Sequence, residues 1–182
     1  MGRFRMKFTP TNVDGVVIVD IEPRSDERGF FARSFCQREF EAQGLHTQFL
    51  QANMSFNHEQ GTLRGMHWQE VPHSEVKVVR CTRGAIFDVA LDLRRDSPSY
   101  LKWTGVELGA QNARALYIPE GCAHGYLTLT PAAEIHYLVS TFYAPAHERG
   151  ARWDDRAFGI QWPHTPQRII SARDATHPLW QP

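Results

Sequence analysis

Several features that commonly reveal a protein's role are scarce in this 182-residue sequence. Its 20 basic residues are balanced by 20 acidic ones, so no overall field attracts nucleic acid or an anionic membrane. It has no apolar run of about 20 residues, the length that crosses a bilayer. The 3 cysteines are widely spaced and odd in number, which argues against a disulfide framework. These absences predict a cytoplasmic protein with neither nucleic acid nor membrane as a partner.

The spacings typical of metal sites are missing as well. The sequence contains no His-x-His and no Cys-x-x-Cys pair. His67, within residues 63–69 (LRGMHWQ), is followed two positions later by Gln69, where a metal-binding barrel commonly has a second histidine. His124 is left as a distant candidate ligand. We therefore expect no bound metal.

The sequence does contain many short segments that are typical of strands. Hydrophobic residues make up 42% of the chain and charged residues 22%, which predicts one domain, residues 1–182, with a substantial core. The predicted strands are 15–21, 49–56, 62–69, 75–82, 85–94, 100–108, 113–118, 124–129 and 135–142, separated by glycine, proline or asparagine. Residues 37–43 are the one good helical candidate, and the tail from Pro145 is expected to wrap the sheets. This spacing favours an all-β fold, an antiparallel sandwich or closed barrel with a few short peripheral helices.

Residues 63–69 carry the first candidate for chemistry. Strand alternation would place Arg64, Met66 and Trp68 on one face, and His67 with Gly65 and Gln69 on the other. An imidazole with a pKa of about 6.5 can take a proton from carbon or bind a metal. The alternative is a histidine whose hydrogen bonds are satisfied by backbone in a polar patch.

Lys77 is the second candidate, because Val76 and Val78 face opposite to it. A lysine inside a small barrel must pair with an anion, such as Asp88 or an oxyanion formed during a reaction. Asp88 and Asp92 share a strand face from which they could orient His67 and Lys77. The alternatives are a lysine on an outward face and acids in contact with solvent.

Tyr137 is the third candidate. Within residues 134–143 it shares a face with Val139 and Thr141, from which its phenol could act as an acid. A strand tyrosine is also a common packing residue with its hydroxyl at a rim.

Seven ordered blocks resemble the dTDP-4-dehydrorhamnose 3,5-epimerase family. They are 28–31 (RGFF), 51–55 (QANMS), 63–69 (LRGMHWQ), 76–80 (VKVVR), 88–94 (DVALDLR), 118–125 (IPEGCAHG) and 171–174 (SARD). The resemblance implies a cupin-type jelly roll, a homodimer, and a reaction without metal or organic cofactor. It also implies a nucleotide-linked 4-keto-6-deoxyhexose as substrate, with dTDP as the expected nucleotide.

The same resemblance implies residue roles. His67 corresponds to the base, Asp174 to the acid that orients it, Lys77 to the active-site lysine and Tyr137 to the opposing acid. The implied substrate-binding residues are Arg28, Phe31, Gln51, Asn53, Arg64, His124, Phe142, Tyr143 and Arg173. The three arginines match or neighbour cationic positions available to the diphosphate, and Phe142 and Tyr143 match aromatic positions near the nucleotide.

The chain departs from the family pattern at Arg33, where a glutamate is usual, and at Leu138, where a lysine is frequent. The sequence leaves open whether C3, C5 or both are inverted. A 3-epimerase and a keto-isomerase use much of the same scaffold. A non-catalytic nucleotide-sugar-binding cupin would not need His67, Asp174 and Tyr137 together, and a metal-dependent cupin oxygenase or isomerase would need the missing His-x-His.

Overall fold

The structure is a computed structural model that describes residues 5–181. Its strands are β1 (Met6–Pro10), β2 (Val17–Ile21), β3 (Arg24–Asp26), β4 (Gly29–Phe31), β5 (Gln51–Asn57), β6 (Thr62–Gln69), β7 (Lys77–Arg83), β8 (Ala85–Asp92), β9 (Trp103–Gly109), β10 (Ala115–Ile118), β11 (Cys122–Thr128), β12 (Ala133–Val139), β13 (Glu148–Gly150) and β14 (Ile169–Ile170). The helices are α1 (Gln37–Glu41) and α2 (Ala172–Ala175), with a single 3₁₀ turn at Pro145–His147.

The strands form two main sheets and a separate hairpin. The first sheet has the order β1-β2-β10-β7-β12-β5, and the second has β13-β6-β11-β8-β9 with β14 pairing alongside β6. All pairs in the two sheets are antiparallel except β14 with β6. The hairpin β3-β4 is a two-stranded sheet of its own. The cupin-type jelly roll is thus confirmed.

A hydrophobic core fills the space between the two sheets. It is built from alternate residues of strands in both, including Val79, Ile135, Ile86, Leu108 and Leu116, each at most 1% exposed. Since successive side chains of a strand point to opposite faces, Lys77 shares the inward face of β7 with Val79, and Tyr137 that of β12 with Ile135. The fold therefore points both candidates inward.

The outer faces of both sheets are covered as well. Val76 and Val78 pack with Phe40 of α1 on the outside of the first sheet. Met66 and Trp68 pack on the outside of the second sheet against the tail, with residues such as Phe158 and Trp162. The tail does wrap the second sheet, as the sequence predicts.

The alternation predicted for β6 fails at Gly65. Arg64 pairs with Tyr126 but His67 pairs with His124, so three steps along β6 match two along β11. Such a bulge moves the side chains on either side of it onto one face. A Cβ at Gly65, where φ is +125°, would lie 2.5 Å from the Cα of Gly125. The extra residue and the close backbone approach therefore bring Arg64 to the same side as His67, and the prediction that they face apart is wrong.

Most predicted strands are present with shifted ends, and the predicted helix 37–43 is α1. The short elements β1, β3, β4, β13, β14 and α2 have no counterpart in the prediction. Among the described residues, no helix is long and apolar enough to span a membrane.

Candidate active site

Two adjoining cavities between the sheets share His67, Lys77 and Tyr137. The first has a volume of about 550 Å³ and is also lined by Arg64, His124, Tyr126, Arg173 and Asp174, among others. The second, about 450 Å³, is also lined by Gln51, Asn53, Gln69, Glu75, Tyr143 and Glu148, among others. Small-molecule sites commonly measure about 300–1,000 Å³, so each cavity has the size of such a site.

His67 and Asp174 form a hydrogen-bonded dyad. The Nε2 of His67 lies 2.8 Å from Oδ1 of Asp174, and the backbone N–H of Gly65 donates to Oδ2 at 3.1 Å. Burial acts to raise the pKa of Asp174, but the hydrogen bond and charge of His67, with the Gly65 N–H, outweigh it and lower that pKa. An ionised carboxylate only accepts hydrogen bonds, so the proton of a neutral His67 lies on Nε2 and the lone pair on Nδ1.

Asp174 is held in place by its own short helix. The hydroxyl of Ser171 caps α2 by accepting from the Asp174 backbone N–H at 3.1 Å. β14 pairs with β6 at Thr62 and Leu63, so the segment leading into α2 runs beside the His67 strand. This brings together two residues that are 107 positions apart.

Lys77 pairs with Glu75, not with Asp88. Its Nζ lies 2.9 Å from Oε1 of Glu75, and both side chains are mostly buried. Of the two alternatives that the sequence left open, Lys77 thus takes the inward one, and its anion is two residues away on its own segment.

Asp88 and Asp92 orient neither His67 nor Lys77, which corrects the sequence-based interpretation. The Oδ1 of Asp88, a fully buried residue, lies 2.7 Å from Nε2 of His124, so this second carboxylate is paired with an imidazole that lines the first cavity, and Asp88 itself does not line it. Asp92 binds Arg94, Ser97 and Ser99 outside the cavity. It therefore supports the fold.

Tyr137 approaches the cavities from β12 of the first sheet, whereas His67 belongs to β6 of the second. Burial chiefly raises the pKa of Tyr137, as does the nearby Tyr126. The phenol consequently keeps its proton at neutral pH. It can act as a donor on the side of the cavity away from His67.

Two arginines border the first cavity. The Nε of Arg64 donates to Oδ1 of Asn57 at 2.9 Å, which fixes the guanidinium at the cavity wall. Arg173 binds Oε2 of Glu148 at 2.7 Å, and the Tyr143 hydroxyl donates to the same oxygen at 2.5 Å. Burial acts to raise the pKa of Glu148, but Tyr143 and Arg173 outweigh it and lower that pKa.

The structure does not bring every predicted substrate-binding residue to the cavities. Gln51 and Asn53 line the second cavity, and Gln51 accepts from the Tyr143 backbone N–H at 3.0 Å. Arg28 lies on the exposed β3-β4 hairpin, paired with Asp26, and Phe31 on β4 is 65% exposed. Phe142 is 63% exposed and lines neither cavity.

Sequence reasoning missed three ionisable residues of the site. Glu75 and Glu148 hold the lysine and an arginine, and His177 lies beside Asp174. Glu75 has the sequence spacing of a strand neighbour of Lys77, which is a signal that could have been used. Among the described residues, His67, Asp174 and His177 form the one group whose ligand atoms are close enough to hold a metal ion.

A jelly roll whose cavity brings together a histidine–carboxylate dyad, a lysine and a tyrosine defines the class of cupin-type isomerases. The sequence model for dTDP-4-dehydrorhamnose 3,5-epimerase matches residues 10–182. The chain is 42% identical over 170 residues to dTDP-4-dehydrorhamnose 3,5-epimerase from Salmonella typhimurium, covering 93% of this chain and 92% of that protein.

Two solved structures are similar over nearly the whole chain. The epimerase from Bacillus anthracis with TDP and pyrophosphate bound has a TM-score of 0.93 at 38% identity, covering 97% of this chain and 100% of that one. The enzyme from Legionella pneumophila in complex with dTDP-4-keto-L-rhamnose has a TM-score of 0.91 at 35% identity, covering 96% and 93%. The protein belongs to the dTDP-4-dehydrorhamnose 3,5-epimerase family and is an isomerase.

Proposed function

We propose that this protein inverts C3, C5 or both of a dTDP-linked 4-keto-6-deoxyhexose, with His67 as the base. The observation that carries the proposal is the His67–Asp174 hydrogen bond in a cavity shared with Lys77 and Tyr137. Protons at C3 and C5 are acidified by the C4 ketone. Their removal requires a neutral base, a cation near the carbonyl oxygen and a proton donor on the other face.

Each residue has one task in this mechanism. Nδ1 of His67 takes the proton from carbon, and Asp174 stabilises the resulting imidazolium. Lys77 faces the C4 oxygen, where the enolate charge accumulates, a contribution of about 3–4 kcal/mol for one donor in other enzymes. Tyr137 returns a proton from the opposite face, which inverts the centre. Support for the opposite faces comes from the two sheets that carry His67 and Tyr137.

The diphosphate is proposed to bind Arg64 and Arg173. The part of the ligand in the second cavity would be bordered by Tyr143, Gln51 and Asn53. Guanidinium groups match phosphate oxygens in pairs. Arg173 would exchange its bond to Glu148 for a bond to phosphate when the substrate binds. Of the two departures from the family pattern, Leu138 packs with Phe40 and Val78 on the outer face of the first sheet, so only Arg33 is proposed to affect substrate choice.

The proposal is tested with the dTDP-4-keto-6-deoxyhexose in deuterated water. Wild-type protein should incorporate deuterium at the inverted carbons, with mass spectrometry counting one or two and NMR assigning them. His67→Ala should abolish the exchange and leave dTDP binding intact, whereas exposed His164→Ala should change neither. Exchange near the wild-type rate in His67→Ala would contradict the assignment, and a shifted keto group would identify a keto-isomerase.

We also propose that the protein is a cytoplasmic homodimer. Its three cysteines are free thiols, which suits a reducing compartment. β5 is an edge strand of the first sheet, and its outward face exposes Met54 by 67% and Phe56 by 41%. An apolar edge strand is suited to pairing with another chain.

A dimer would also account for the exposed positions of Arg28 and Phe31 on the β3-β4 hairpin. They line neither cavity of their own chain, so contact with substrate would have to come across the interface. Light scattering should give twice the monomer mass for the wild type. Met54→Lys should give monomers, and a monomeric wild type would contradict the proposal.

A further inference from the structure

A second imidazole lies beside the His67–Asp174 dyad. The ring of His177 stands edge-on to that of His67, with centroids 5.7 Å apart, and its Nε2 is 3.6 Å from Oδ1 of Asp174. This Nε2 is buried, and nothing within residues 5–181 accepts or donates a hydrogen bond to it. The Nε2 of His177 therefore contributes no hydrogen bond to the described fold.

Space for the His177 ring depends on the absence of a side chain at Gly150. Gly150 pairs with His67 across β13 and β6, and a Cβ built on it would lie 2.2 Å from Nε2 of His177. Any side chain at position 150 would push the imidazole away from Asp174.

We propose that His67, Asp174 and His177 form a binding site for a divalent transition metal of the zinc class, and that its occupation inhibits the enzyme. The three ligand atoms lie within 4.8 Å of one another. Ligand atoms of a tetrahedral zinc, each about 2.0–2.1 Å from the metal, are about 3.3 Å apart. The observed separations of 2.8 Å and 3.6 Å from Oδ1 of Asp174 bracket that value, and the ligand nitrogens of the two imidazoles lie within 4.8 Å of each other.

The chemistry of the donors fits such an ion. Two imidazoles and one carboxylate are ligands that zinc and its neighbours accept, usually with a further open position.

Inhibition follows from the tautomer of His67, and this part rests on the proposed function. A metal on Nε2 displaces the proton that Asp174 holds there. Exchange through solvent places a proton on Nδ1, so the ring remains neutral overall. Nδ1–H cannot accept a proton from carbon, and the base is blocked without any contact between metal and substrate.

The test uses chelator-treated full-length protein, with Zn²⁺ for calorimetry and inhibition and Co²⁺ for visible absorption. Wild-type protein should bind one ion per chain and lose epimerase activity as the site fills. His177→Phe keeps an aromatic ring but removes the ligand nitrogen, and it should weaken metal binding at least about tenfold, since even outer-shell changes cost 10–100-fold. Inhibition by the metal is measured relative to the metal-free activity of each variant. His164→Phe, on an exposed histidine, is the matched control for surface binding.

Equal Zn²⁺ affinity in the wild type and His177→Phe would overturn the site, as would a wild type without calorimetric binding. Bound Zn²⁺ that leaves activity unchanged would overturn the inhibitory role. If circular dichroism shows that His177→Phe is misfolded, His177→Gln replaces it with the same expected loss. Because Co²⁺ absorption is read without substrate, the site can stand even if the proposed reaction fails.

Discussion

Asp174→Asn tests the dyad most informatively, because Asp174 contacts two donors. Its Oδ1 faces Nε2 of His67 and its Oδ2 faces the buried N–H of Gly65. An asparagine has only one carbonyl oxygen for these two donors. If the oxygen accepts from Gly65, the amide donates to His67 Nε2, and the imidazole proton moves to Nδ1. If the amide is reversed, an N–H group faces the Gly65 N–H.

The expected loss of kcat follows from these two orientations of the asparagine amide. The reversed amide leaves a buried donor unsatisfied, which costs about 1–3 kcal/mol. Loss of the charged acceptor for the imidazolium adds about 1.5–3 kcal/mol. The sum of roughly 2.5–6 kcal/mol corresponds to a fall in kcat of roughly 10²- to 10⁴-fold.

The assay is kcat for epimer formation together with deuterium exchange at saturating substrate. Asp154→Asn makes the same substitution at an aspartate that pairs with Arg152 outside both cavities, and should leave kcat unchanged. Thermal melting checks that both variants are folded. A loss of kcat smaller than fivefold in folded Asp174→Asn would refute the tautomer argument.

Three further outcomes are expected. Arg64→Ala should weaken dTDP binding by about 1.5–3 kcal/mol, roughly 10- to 150-fold, because a charged hydrogen-bond donor is lost; unchanged affinity in calorimetry would remove Arg64 from the diphosphate site. Lys77→Met should lower kcat by about 10²- to 10³-fold, and adding Glu75→Gln should restore stability but not kcat; recovery of kcat would mean that the loss came from the unpaired carboxylate. Burial acts to raise the pKa of Asp92, but hydrogen bonds from Arg94, Ser97 and Ser99 outweigh burial and lower this pKa from 3.8 to about 2. That shift corresponds to about 2 kcal/mol of stability, present above about pH 4 and lost as pH falls toward 2. Asp92→Asn should therefore lower the urea-derived free energy of unfolding at pH 7 and much less at pH 2.5, and an equal loss at both would contradict the assignment.

The sequence predicts the all-β architecture because the period of two is a local signal. Val78 of β7 and the preceding Val76 lie on one side of the sheet and Lys77 lies on the other, as expected. The face of Arg64 is mispredicted because a bulge depends on how β6 meets β11, which no single strand reveals. The short strands β13 and β14 exist through pairing with β6 and have too few residues for a periodic pattern.

The candidate site, like the fold, is predicted where the signal is local and is missed where it depends on distant segments. Asp174 follows from the resemblance, but its distance to His67 depends on the tail folding back beside β6. A search for His-x-His spacing misses the group His67, Asp174 and His177, because its members come from two distant segments. The metal-free reaction implied by the resemblance stays a prediction, and it is compatible with an inhibitory ion at this group.

The central claim is that His67 removes a proton from one face and Tyr137 returns one from the other. The measurement is the reaction of Tyr137→Phe in deuterated water, followed by NMR for configuration and mass spectrometry for deuterium. The variant keeps the ring, so a packing role would cost only a hydrogen bond, about 0.5–1.5 kcal/mol. We expect deuterium at the carbon beside the ketone with its configuration retained, since His67 still exchanges its proton with solvent. Normal epimer yield from Tyr137→Phe would contradict the account.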